Sequence, residues 1–251
     1  KNILEQLPGY KKSDSKKTED TVLSIQKNEK YKKITTKTDL EKLIKILEKS
    51  MSFSIDLETT SLDPKEAEIV GLSLSAKSEE GFYIPVGHKN EPKNEQLPLK
   101  FVMEKLSLFL LSEEKEKIGQ NIKYDISVFR ENGFEVKGTI FDTMLASYLL
   151  FSNRTSHGLD HLAEEFFGIS TIKYVDICGK GAKQISFSEV SIEDATQYAS
   201  QDADITFRLA ENMKEQLKED QLDELFSDLE IPLLKILLDM ETTGIRLDVS
   251  L

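Results

Sequence analysis

The sequence predicts an α/β protein built on a mixed β-sheet, and three observations carry that prediction. Residues 52–58 alternate strictly, with Phe53, Ile55 and Leu57 on one face and Ser54, Asp56 and Glu58 on the other, the two-residue period of a strand. Two more strand-like runs, 68–75 and 81–86, follow at once across a polar turn at 77–80, giving a three-stranded meander. From about residue 97 helical periodicity takes over, with short strands at 117–119 and 139–141 set between the helices.

In chain order, residues 1–29 are rich in Lys, Ser, Glu and Asp with little periodicity, the composition of a flexible linker from a preceding domain. The globular part begins with a short strand at 31–35. A helix over 39–47 follows, where Leu40, Leu43, Ile44 and Leu47 share one face. Beyond the meander the periodicity predicts helices over 99–111, 121–131, 142–150, 159–167 and 192–218. A last amphipathic helix carries Leu229, Leu233, Ile236, Leu237 and Met240, with Thr243 and Gly244 as its stop signal. It reads as the opening of a larger unit, so the expected division is linker 1–29, a main domain 30–222, and the start of another domain at 223–251.

Length and composition narrow the function. A chain of 251 residues, 39% hydrophobic, can bury a sizeable core. The absence of an eighteen-residue apolar run or a secretory signal leads to the expectation of a cytoplasmic chain without a membrane partner. The single cysteine, Cys178, excludes an internal disulfide and a cysteine zinc site. A net charge of −12 argues against broad capture of duplex DNA, which rests on Lys and Arg neutralising phosphates. It leaves open a nuclease whose carboxylates are offset by metal ions.

Asp56 and Glu58 project from one face of a strand, ~7 Å apart at their backbones. Two hard anions so placed suit Mg²⁺ or Mn²⁺, although a lone Asp-x-Glu is ordinarily a solvated sheet face. Asn121 with Asp125, and Tyr198 with Asp202, are each four residues apart in a helical run and share a helix face. Ile118, Ile122 and Ile126 around the first pair, and Ala199, Ala203 and Ile205 around the second, set both acids close to a core. Acids so placed need a partner, because burying an unpaired charge is costly, and metal ions would serve.

Four segments, FSIDLETTSLD, IGQNIKYD, FDTMLASYLL and YASQDADITFRL, resemble in order and spacing the exonuclease motifs of family A DNA polymerases, members of the DEDDy exonucleases. The ending DLEIPLLKILLDMETTGIRLD is similar to the helix that opens the polymerase domain of those enzymes. The resemblance implies an RNase H-like mixed β-sheet flanked by helices and a 3′-5′ proofreading exonuclease. It also implies two divalent metal ions, Mg²⁺ or Mn²⁺. Asp56, Glu58 and Asp202 would hold the first ion, Asp56 would bridge to the second, Asp125 would support that second ion, and Tyr198 would orient the attacking water. Leu62 and Tyr174 would wedge against the terminal bases, while Gln120, Asn121, Tyr124 and Met144 would line the strand-end pocket. The partners so implied are a single-stranded or frayed 3′ end of DNA and the polymerase domain of the same parent chain; the chain is expected to be a monomer. An arginine that the family places near the strand backbone is replaced here by Ser156, with Arg154 close by.

Other features carry less. His157 and His161 in HGLDH lack the glutamate of a zinc hydrolase and read as capping or surface residues. Lys180 and Lys183 in GKGAKQ fit a phosphate contact or a plain turn equally. Asp142 fits an N-cap better than a place in the acidic cluster, and residues 112–117 read as a solvated helix end. Two competing functions share most of these features: an RNase D-like 3′-5′ exoribonuclease, and a catalytically silent scaffold domain. The five residues Asp56, Glu58, Asp125, Tyr198 and Asp202 speak against the scaffold.

Overall fold

The computed structural model describes residues 28–92 and 95–247. The linker expected over 1–29 therefore lies, apart from its last two positions, outside the described residues. One six-stranded sheet forms the centre: β1 (Tyr31–Lys33), β2 (Ser52–Thr59), β3 (Ile69–Ser75), β4 (Gly81–Pro85), β5 (Glu116–Gly119) and β6 (Ile140–Asp142). Its order is β1-β4-β3-β2-β5-β6. The meander β2-β3-β4 is antiparallel, while β5 joins β2, β6 joins β5 and β1 joins β4 in parallel. The mixed sheet expected from the sequence is the one observed.

On one face, α1 (Lys37–Lys49) and α2 (Leu99–Leu110) cover the apolar side of β2. Leu40, Leu43 and Leu47 of α1 meet Phe53, Ile55 and Leu57, and Val102, Leu106 and Phe109 of α2 complete that core. Each fully buried leucine or phenylalanine contributes about 1.5–3 kcal/mol. The alternation seen in the sequence is therefore real, but its other face is not solvated. There the long helix α7 (Ile192–Glu219) lies across the sheet, burying Ser54, Ser73 and Ser75. Small residues permit the approach: the Ser54 hydroxyl donates to the Ala203 carbonyl at 2.7 Å, and a Cβ added at Gly81 would lie 2.4 Å from the Ser200 carbonyl oxygen.

The remaining helices are α3 (Ile122–Glu131), α4 (Thr143–Leu150), α5 (Leu159–Phe167), α6 (Tyr174–Cys178), α8 (Asp223–Leu225) and α9 (Ile231–Thr243), the last two joined by a π-helical turn at Phe226–Glu230. Helix α6 has no signal in the periodicity because five residues are too short to show one.

Three readings need correction. Residues 112–117 are not a solvated helix end: α2 stops at Leu110, Glu116 and Lys117 belong to β5, and Lys117 is fully buried. Its ammonium group donates to the carbonyls of Ser112 and Lys115, and burial lowers its pKa to about 8. His157 is not a surface residue but is buried, whereas His161 is half exposed beside Glu165. In α9 the packed residues are Ile231, Leu234 and Leu238; Leu229, Leu233, Ile236, Leu237 and Met240, expected as the helix's apolar face, are exposed.

Candidate active site

The site forms where β2 outruns its neighbour. The parallel pairing of β2 with β5 covers only Ser52 to Ser54, so the next edge amides of β2 have no strand partner on that side. Asp125, on the first turn of α3, fills the gap: its Oδ1 accepts the Leu57 amide at 3.0 Å. Leu57 lies between Asp56 and Glu58, so this bond sets Asp125 beside both. From the opposite side α7 brings Tyr198 and Asp202, one helical turn apart. Glu58 and Asp125 are buried, and Asp56 and Asp202 keep slight solvent access.

Burial raises all four carboxyl groups, and the charge of Asp56 raises the other three further. Burial pushes Asp56 up to about 7. Glu58 stands well above the carboxylate range through burial and then the charges of Asp56, Asp202 and Asp125. Asp125 is raised by burial and by Asp56, and Asp202 by burial, Asp56 and Asp160. Among the described residues no lysine or arginine forms an ion pair with any of the four. Tyr198 is raised by burial and then by Asp202 and Glu58, so its phenol stays protonated.

The donor set is all hard oxygen, the chemistry of Mg²⁺ or Mn²⁺ and not of zinc or copper. Among the described residues no three candidate ligands close around one point. A divalent cation would offset the charge that these buried carboxyls carry when ionised. The residues present therefore fit a divalent ion.

Leu62 is 94% exposed on the loop after β2, and Tyr174 is exposed at the start of α6. Tyr124 hydrogen-bonds through its hydroxyl to Thr59 Oγ1 and the Ser61 carbonyl, anchoring the loop that carries Leu62. Asn121 is not within a helix turn, as the spacing with Asp125 predicted; it caps α3 in the left-handed region, φ 58°. Met144 lines a small crevice with Asn121, Leu233 and Leu237. Gln120 is already engaged at both ends of its side-chain amide: Nε2 donates to the His157 carbonyl at 2.8 Å, and Oε1 accepts from Thr143 Oγ1 at 2.5 Å.

The structure adds a role and residues that sequence reasoning passed over. Asp142 caps α4, as expected, through Met144 and Leu145, but it also accepts the amides of Asn121 and Ile122 at the start of α3. One carboxylate thus ties together two helix N-termini. Beneath Glu58 lies a second brace. His88 Nδ1 must donate to the Val190 carbonyl at 2.8 Å, so its Nε2 accepts from the Tyr83 hydroxyl at 2.8 Å. Tyr83 lies over Gly71, the strand partner of Glu58, where a Cβ would stand 2.1 Å from the hydroxyl. Phe187 packs between His88, Tyr198 and Tyr174, at ring separations of 6.1, 6.0 and 6.4 Å. A lone histidine and phenylalanine give no periodic or motif signal, so the pattern alone could not have found them.

The strand order and the flanking helices are those of an RNase H-like fold. A family model described as 3′-5′ exonuclease, of the DNA polymerase A type, matches residues 31–218, and the chain belongs to that exonuclease family. It is 40% identical over 248 residues to DNA polymerase I of Borreliella burgdorferi, an alignment taking in 99% of this chain and 26% of that protein. The chain spans about a quarter of the length of the curated relatives it matches. Among solved structures, the POL domain of Pol1 from M. smegmatis in complex with DNA primer-template and dNTP superposes with a TM-score of 0.67 at 20% identity, covering 87% of this chain and 33% of that one. Escherichia coli RNase D, an exoribonuclease, superposes at 0.64 with 15% identity, covering 84% and 51%. At those identities the likeness is one of fold. Exonucleases of this family use divalent metal ions.

Proposed function

We propose that the domain is the proofreading nuclease of a DNA polymerase I, acting in replication and repair. It hydrolyses the last phosphodiester of a single-stranded or frayed DNA 3′ end and releases a nucleoside monophosphate. The observation that carries this reading is the gathering of Asp56, Glu58, Asp125 and Asp202 from three elements with no basic side chain paired to them among the described residues. Asp56, Glu58 and Asp202 would hold one divalent ion and Asp56 with Asp125 a second, Mg²⁺ or Mn²⁺. Bound there, the ions supply an activated water and the charge that stabilises the leaving oxygen of an in-line displacement.

The chain's own groups do the rest. Tyr198 keeps its proton, so it holds the attacking water by hydrogen bonding and is no anionic base. The water oxygen forms the new bond to phosphorus, the bond to the 3′ oxygen breaks, and that oxygen leaves with a proton. Leu62 and Tyr174, both exposed, flank the terminal bases, and stacking tolerates any base. Residues 223–251 begin the polymerase domain, whose synthetic activity belongs to the longer parent. The domain acts as a monomer, and the parent works in the cytoplasm.

The second reading, an exoribonuclease, shares the fold of RNase D. Initial rates on matched 3′-labelled DNA and RNA strands, with Mg²⁺ or EDTA, separate the two. DNA preferred and EDTA abolishing activity is the expected result. RNA preferred moves the assignment to the exoribonuclease, and silence on both strands with Mg²⁺ and Mn²⁺ leaves a scaffold.

A further inference from the structure

Among the described residues two aromatic side chains are exposed, Tyr174 and Tyr148. Tyr174 has a proposed place beside the terminal bases; Tyr148, 54% exposed on α4, has none. Its ring is not loose. It stacks on the imidazole of His157 at 3.8 Å between centroids and 29° between planes. His157 is buried and held at two points, its Nδ1 at 2.8 Å from Ser147 Oγ and its carbonyl accepting Gln120 Nε2 at 2.8 Å. One face of Tyr148 is thus fixed against a braced ring, and the side chain remains open to solvent.

The stack is linked to the acidic cluster through neighbouring residues. Gln120 immediately precedes Asn121 and the helix that carries Asp125. Asp160, three residues after His157, is close enough for its charge to raise Asp202. Met144, expected in the strand-end pocket, lies one turn before Tyr148 on the same helix face. The chain carries −12 net charge, so it has little electrostatic grip on phosphates, and the N-terminal amides of α3 and α4 are already taken by Asp142. A protein so charged must hold a single strand largely by its bases.

We propose that Tyr148, supported by His157, is a stacking platform for a base of the single-stranded DNA upstream of the 3′ end. Gln120 acts as its brace, a positioning residue that fixes His157. The proposal rests on the nuclease reading above, but it is tested by binding and not by hydrolysis.

The test is fluorescence anisotropy in EDTA with a labelled dinucleotide and a labelled twelve-nucleotide single strand of DNA. It uses wild type, Tyr148→Ala and Tyr148→Phe, each shown to be folded by thermal melting. Wild type binds the longer strand more tightly. Tyr148→Ala loses about five- to a hundredfold of that length advantage, the size of one lost base stack, and Tyr148→Phe keeps it. A length advantage unchanged in Tyr148→Ala overturns the proposal, as does equal weakening on both oligonucleotides. A length effect that follows Tyr148 in a protein without exonuclease activity would sink the nuclease reading and leave the platform standing.

Discussion

Asp56 lies on a central strand, raised to about 7 by burial, with Glu58, Asp125 and Asp202 each raised by burial and then by the charge of Asp56. A raised carboxyl binds protons in the folded state that the unfolded chain has already released. Its contribution to stability is complete below the ordinary value of 3.8 and is lost as pH rises through about 7. The metal-free protein should therefore melt at progressively lower temperature as pH is raised across that window. Adding Mn²⁺ should flatten the slope, because a cation replaces the protons. Thermal unfolding with EDTA and with Mn²⁺ checks this; the same slope in both would mean that the cluster does not bind the ion.

At the scale of elements, Asp142 is the joint between α3 and α4, accepting four backbone amides. Replacing a capping side chain with alanine costs about 0.5–2 kcal/mol, and here two helices lose their cap. Asp142→Ala should lose roughly 1–4 kcal/mol in urea unfolding, with exonuclease activity falling as well because Asp125 rides on α3. A loss no larger than that of an exposed substitution would contradict the joint. Half of this joint was legible in the sequence: an aspartate at a strand-to-helix junction reads as a cap for the helix that follows. Its reach to α3 depends on β5 and β6 lying side by side, which no local pattern records. The strands and longer helices were legible because their periods are clear, and Asp56, Glu58, Asp125, Tyr198 and Asp202 because they fall within recognisable segments. The face of α9 was misread for a physical reason. Leu229, Leu233, Ile236, Leu237 and Met240 form one apolar stripe and Ile231, Leu234 and Leu238 another, and spacing does not say which meets this domain.

Over the whole molecule, a six-stranded sheet with helices on both faces delivers acids from β2, α3 and α7 to one place. Under the proposed reading that place takes cations, and with a net charge of −12 the grip on a strand comes by stacking. Of the two apolar stripes on α9, the one with Ile231, Leu234 and Leu238 packs on this domain and the other is exposed. The measurement that bears most directly on this account is release of nucleoside monophosphates from a 3′-labelled single-stranded DNA, by wild type and Asp56→Ala, in Mg²⁺ and in EDTA. The account predicts monophosphates from wild type in Mg²⁺ alone, and a loss of at least about a hundredfold in Asp56→Ala, in line with removal of a group that stabilises the transition state. Release that persists in EDTA, or that Asp56→Ala sustains at the wild-type rate, would contradict it.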